Sequence, residues 1–235
     1  MKKTLITLLA LAGVAAAQPL TISNANNTAS ATGDWLTEVS ATAINVTEGT
    51  GTNTFATTDY TNSFYSVATN VGYGGSYDYV LTFTLAKDVD LSGFSIDFLL
   101  HSSGGGAQTS NRTLSYDLTL ANAEKALVSY TDQSITTTTG PTGGNPDYKG
   151  VAYNADGSIN ENTKLGTAAY TLPKSVFLAA GTEYTLTIAS ISKNDDQLGT
   201  FVGIGNIAMD VIPEPTTATL SLLALAGLAA RRRRR

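Results

Sequence analysis

Cysteine is absent from this 235-residue chain, and histidine occurs once. Without thiols there is no disulfide framework, zinc-cysteine site, cysteine nucleophile or iron-sulfur cluster. A single histidine also excludes a multi-histidine metal site. Charge is scarce: 14% of residues are charged, against 42% hydrophobic. Polarity is carried instead by 36 Thr, 19 Ser and 15 Asn. These short side chains, many of them β-branched, favour strands and turns over helices. The length admits one β domain or two small domains.

The two ends differ from the middle. Lys2 and Lys3 form a positive head, residues 5–14 are an apolar run, and Ala15-Ala16-Ala17 precede Gln18. A basic head, a short apolar run and a small-residue A-x-A site read as a secretory signal peptide. Cleavage between Ala17 and Gln18 is expected, with Ala15 and Ala17 as the small residues of the site. This sets off residues 1–17 as a signal helix.

At the other end Pro213-Glu214-Pro215 can continue neither a strand nor a helix, since each proline removes an N–H donor and fixes φ. An uncharged, mostly apolar stretch follows over residues 216–230, and then Arg231, Arg232, Arg233, Arg234 and Arg235. The arginines are expected to stay on the cytoplasmic side. A helix of ~15 residues is roughly 22 Å long, short of a ~30 Å hydrocarbon core. It suits a temporary stop better than a permanent anchor. The ordered triplet of Pro-Glu-Pro, apolar helix and terminal arginines resembles the PEP-CTERM sorting signal of Gram-negative exported proteins. That resemblance covers residues 213–235. It implies recognition by an exosortase-type membrane protease, transient anchoring in the inner membrane, and delivery to the cell surface or release outside the cell.

Between the ends, residues 18–212 are expected to form one domain. Residues 18–215 keep seven of the fourteen basic residues and all nineteen acidic ones, which moves the formal charge from −5 to −12. Nucleic acid is a poor partner for such a surface, because phosphate binding rests on Lys and Arg displacing counterions. The pattern has a period of two wherever it is clear. Tyr77, Tyr79, Leu81, Phe83 and Leu85 alternate with Asp78, Thr82 and Thr84, and Phe94, Ile96, Phe98 and Leu100 with Ser95, Asp97 and His101. The sets Leu114, Tyr116, Leu118, Leu120 and Tyr184, Leu186, Ile188 repeat the pattern. Further strands are expected at 35–45, 127–130 and 201–212. In the last, the apolar phase moves by one residue beside Gly205, as a β-bulge would require. Residues 129–166 read as a long loop, and 174–178 as a short helical turn.

Eight to ten strands with one wet face each predict an all-β fold, an antiparallel β-sandwich of jelly-roll type. The segment Val202-Gly203-Ile204-Gly205-Asn206-Ile207 is similar to the last strand of carbohydrate-binding jelly rolls. Gly205 stands where that family commonly has Asp, which weakens any transfer of a calcium or sugar site.

Catalytic signals are sparse. His101 lies beside Ser102 and Ser103, but neighbouring strand residues point apart and there is no G-x-S-x-G elbow. Asp88 with Asp90, and Asp195 with Asp196, are the close carboxylate pairs. Glycosidase carboxylates must instead face each other across ~5–9 Å. Asn154, Asp156, Ser158 and Asn160 put oxygens at alternate positions, but Leu165 stands where the bidentate acid of an EF-hand would fall. No metal or cofactor is expected. Tyr60, Tyr65, Tyr73, Tyr77 and Tyr79 could stack on sugar rings, yet read more simply as core and edge residues. The leading reading is a non-catalytic surface or matrix protein, with extracellular polysaccharide as a candidate partner. A carbohydrate-active enzyme using two acidic residues is the alternative, and a purely structural surface module the third.

Overall fold

The computed structural model describes residues 20–31, 33–48, 64–66, 74–102, 113–136, 165–193 and 200–212. Both terminal segments, and so every residue of the signal-cleavage and sorting motifs, lie outside that set. The described residues form strands and turns only: β1 (Leu20–Ala25), β2 (Thr28–Ala31), β3 (Leu36–Thr47), β4 (Tyr65–Ser66), β5 (Ser76–Leu85), β6 (Val89–Ser102), β7 (Thr113–Asn122), β8 (Ala126–Thr136), β9 (Leu165–Leu178), β10 (Glu183–Lys193) and β11 (Thr200–Ile212). The described residues are all-β, with two antiparallel sheets.

One sheet runs β2-β1-β11-β6-β9, with β4 also pairing β11; the other runs β3-β5-β10-β7-β8. They face each other across a single core, because alternation gives each sheet an apolar side that water would otherwise meet. From one sheet come Ile96, Phe98, Val202, Ile204 and Ile207; from the other come Tyr77, Tyr79, Leu81, Phe83, Leu118 and Ile188, all buried. Each buried side chain of this size contributes about 1.5–3 kcal/mol. The opposite face of the second sheet is largely polar. Thr42, Thr187, Thr119 and Ser129 fall in one row across it, with Val80 the apolar member on β5.

Several boundaries differ from those the sequence suggests. Residues 129–136 continue β8 rather than opening a loop. Residues 174–178 are not helical; they close β9, a strand whose pairing with β6 is interrupted around Pro173. Tertiary pairing there overrides a weak local helical spacing. In β11 the register against β6 shifts between Ile204 and Ile207, the position at which the apolar phase moves.

The bulge in β11 organises a buried polar cluster. A bulge leaves backbone groups without ladder partners. Asn24, 1% exposed, donates from Nδ2 to the Gly205 carbonyl at 2.9 Å, and its Oδ1 accepts from the Tyr79 hydroxyl at 2.9 Å. Tyr77 donates to the Val202 carbonyl at 3.0 Å, and the Tyr65 ring packs edge-on against Tyr79 at 5.2 Å.

The strands also give the sandwich two poles. The 33–35, 86–88, 123–125 and 179–182 connections lie at one pole, and there they are stitched together. The Ala86 amide donates to the Trp35 carbonyl at 2.8 Å, the Gly181 amide to the Leu85 carbonyl at 2.9 Å, and the Ala180 amide to Asp88 Oδ1 at 2.7 Å. Leu20 pairs with Met209 and Ile212 with Asp90, so the described chain also begins and ends at this pole.

Candidate functional site

Two surfaces bring polar chemistry together. The first is a transverse line of carboxylates on the wet face of the second sheet. Asp78 in β5 accepts from Asn45 Nδ2 at 2.6 Å and from the Ser190 amide at 2.7 Å. Asp117 in β7 accepts from the Asp132 amide at 2.8 Å. Asn45, Ser190 and Asp132 have φ of 51, 54 and 53°, and each sits where β3, β10 or β8 changes register. The physical logic is uniform. A left-handed residue turns its N–H or side chain out of the ladder, and a carboxylate on the neighbouring strand takes it as a charge-assisted hydrogen bond. Asp78 and Asp117 are two strands apart, about 10 Å between backbones, and both are committed to holding bulges.

The second surface is a cleft of about 590 Å³ at the stitched pole, walled by Leu20, Trp35, Lys87, Asp88, Val211 and Ile212 among others. Trp35 is 7% exposed and forms a solid wall. Lys87 Nζ lies 3.4 Å from Asp34 Oδ2, both side chains standing in solvent, so this pair adds well under 1 kcal/mol. The cleft is open and holds no paired base and nucleophile. Its most telling property is its position, because the first and last described strands both reach it.

The sequence-derived candidates do not converge. His101 is near the end of β6, in register with Phe201. Asp88 serves the turn at Ala180. Asp195, Asp196 and the stretch around Asp156 lie outside the described residues. Tyr65, Tyr77 and Tyr79 are buried at 8, 0 and 0% exposure, so they cannot stack on a sugar; Tyr60 and Tyr73 are outside the described residues. Burial pushes the Tyr77 and Tyr79 phenols far above the ordinary tyrosine range. Neighbouring tyrosines add to the effect at both. A second aromatic group, which the sequence did not single out, closes the flank between β8 and β9. The Tyr116 and Tyr170 hydroxyls are 2.7 Å apart, Tyr170 stacks on Phe94 at 4.9 Å, and Tyr130 covers Tyr170 at 4.7 Å. Among the described residues, no three His, Cys, Asp or Glu side chains are grouped as metal ligands.

Neither a protein-family model nor a curated protein sequence matches this chain. Among solved structures it is similar to the CocE/NonD family hydrolase SACOL2612 of Staphylococcus aureus, with 6% identity and a TM-score of 0.36 over 83% of this chain and 37% of that one. It is similar also to the Agl-KA catalytic domain, with 10% identity and a TM-score of 0.33 over 86% of this chain and 30% of that one. A third is the Eiger TNF of S. frugiperda, with 9% identity and a TM-score of 0.24 over 85% of this chain and 97% of that one. The chain spans about a third of the length of the first two structures.

Proposed function

We propose that this is an exported, non-catalytic surface or matrix protein, sorted by an exosortase-type membrane protease that reads Pro213-Glu214-Pro215, the apolar stretch and the terminal arginines. The observation that carries the reading is that ordered triplet, paired with the basic-apolar-small pattern of residues 1–17. The strand orders β1-β11-β6-β9 and β5-β10-β7-β8, with β2, β3 and β4 added, support reading the passenger as a jelly roll, two four-stranded sheets wound as paired Greek keys. The polar arrangement supports it too. Ile212 leaves the sandwich at the pole that carries the short stitched turns, so a tail anchored in the membrane would hold the domain by that pole. The non-catalytic reading draws support from Asp78, Asp88 and Asp117, which fasten backbone amides.

A tag fused after Arg235 tests the proposal in a host that carries the sorting protease. The tag is expected to separate from the domain, and Pro213→Ala with Pro215→Ala should trap the protein in the inner membrane. A full-length surface protein that keeps its tag would refute the reading.

A further inference from the structure

The cleft at the stitched pole combines two chemistries. Leu20, Trp35, Val89 and Val211 give it an apolar wall, while the Lys87 and Asp34 side chains stand in solvent beside that wall, 66 and 91% exposed. Its volume of about 590 Å³ falls in the range of ligand-holding cavities. Ile212 belongs to the same lining, and it is the last residue of β11 paired with β6, opposite Asp90. The chain therefore leaves the ladder at the cleft itself, and the residues that follow are Pro213-Glu214-Pro215. Neither proline can donate to a ladder, and each biases the residue before it toward extended backbone. The stretch from Ile212 to Pro215 thus has little conformational freedom to lose on docking.

We propose that the Trp35 cleft is the seat of Pro213-Glu214-Pro215, the segment that continues from its own wall. Aromatic-lined grooves take proline-rich segments in this way, because pyrrolidine rings bring apolar surface at a low ordering cost. The two rings pack on the apolar wall, and the Glu214 carboxylate meets Lys87. An ammonium has three donors, and the contact of Lys87 with Asp34 is long, at 3.4 Å, and solvent-exposed, so a second carboxylate can be taken. The acidic side chains of the lining are accounted for: Asp88 accepts from the Ala180 amide at 2.7 Å, and Asp34 stands where water and salt screen it. Gln18-Pro19 adjoin the cleft as well, next to Leu20, but bring one proline and no side-chain charge for Lys87. Because no linker separates the triplet from Ile212, the contact forms at an effective concentration in the millimolar range. Where the triplet is a sorting signal, as the proposed function has it, docking withholds it from the protease until the cleft releases it.

A single tryptophan and the absence of cysteine make the test direct. The full chain carrying Thr216→Cys is purified in detergent and labelled with bimane, a fluorophore that tryptophan quenches at short range. Its emission is compared with that of the same protein carrying Trp35→Phe, and far-UV circular dichroism checks the fold of each variant. Quenching that depends on Trp35 is expected. Pro213→Ala with Pro215→Ala should remove most of it. Lys87→Glu should lower the ratio of docked to undocked tail by about two- to fivefold, the worth of one exposed ion pair, and adding Glu214→Lys should restore it. Bimane emission that is the same with and without Trp35 overturns the proposal. So does quenching that ignores the proline and charge changes, as a tail merely tethered nearby, or a cleft filled by Gln18-Pro19, would give. The assay contains no protease, so its failure leaves the sorting reading standing, and a tag retained after Arg235 leaves the docking standing.

Discussion

Asn24→Ala probes the polar cluster beneath the β11 bulge. The side chain is 1% exposed and makes two hydrogen bonds, to the Gly205 carbonyl and the Tyr79 hydroxyl, both 2.9 Å. Truncation strands both groups in a dry core. Each buried polar group left without a partner costs about 1–3 kcal/mol, so the variant should lose roughly 3 kcal/mol. At about 2–4 °C per kcal/mol for a domain of this size, the melting temperature should fall by about 6–12 °C. Tyr79→Phe removes one of the same bonds and strands only Asn24 Oδ1, so it should lose about 1–2 kcal/mol. Because the two residues share a bond, the double variant should be less destabilised than the sum by about 0.5–1.5 kcal/mol. Near-UV circular dichroism during thermal melting reads all three. An Asn24→Ala shift below about 2 °C, or strict additivity, would refute the claim that this cluster satisfies the bulge.

Gly93→Ala should be destabilising by at least about 1–3 kcal/mol, because a Cβ there would lie 2.6 Å from the Tyr170 carbonyl oxygen and 3.1 Å from Asp210 Oδ2; a denaturant midpoint equal to that of the parent would contradict it. Stability should be insensitive to tyrosine ionisation below about pH 10, then fall as pH rises, since Tyr77 and Tyr79 are held neutral in the fold while unfolded tyrosines ionise near 10. The sign follows from the raised folded values: the native state keeps protons that the unfolded state releases, at roughly 1.4 kcal/mol per pH unit for each phenol. Urea titrations at pH 8 to 11.5, with Tyr77→Phe as the comparison, should show the variant losing stability less steeply.

Much of the sandwich was legible because its strands alternate cleanly. The inward set Tyr77, Tyr79, Leu81, Phe83 and Leu85 is buried throughout, and that same alternation puts Tyr77 and Tyr79 beyond the reach of a ligand. Gly205 announced its bulge by a change of apolar phase. The bulge at Asp132 gave no comparable signal, since it falls among polar residues where a one-residue slip changes no hydrophobic face; at Ser190 the apolar phase does move, from Ile188 to Ile191. β1 and β2 were missed because short runs of Ser, Thr, Ala and Asn have little contrast between faces. β9 was missed because Pro173 and Lys174 interrupt it, and pairing with β6 supplies what local pattern does not. The carboxylates were visible as residues but not as clamps, because the partner of Asp78 at Ser190 is 112 positions away.

The position of β11 has a mechanical meaning. It is an inner strand, flanked by β6 along one side and by β1 and β4 along the other, with partners against β6 from Thr200 to Ile212. A load applied after Ile212 therefore pulls along the strand, between neighbours that grip it on both sides. Its ladder bonds are strained together in shear, whereas an edge strand pulled sideways would give way one bond at a time. If the tail is held in a membrane, as the proposed function has it, drag on the domain would fall on a strand gripped from both sides.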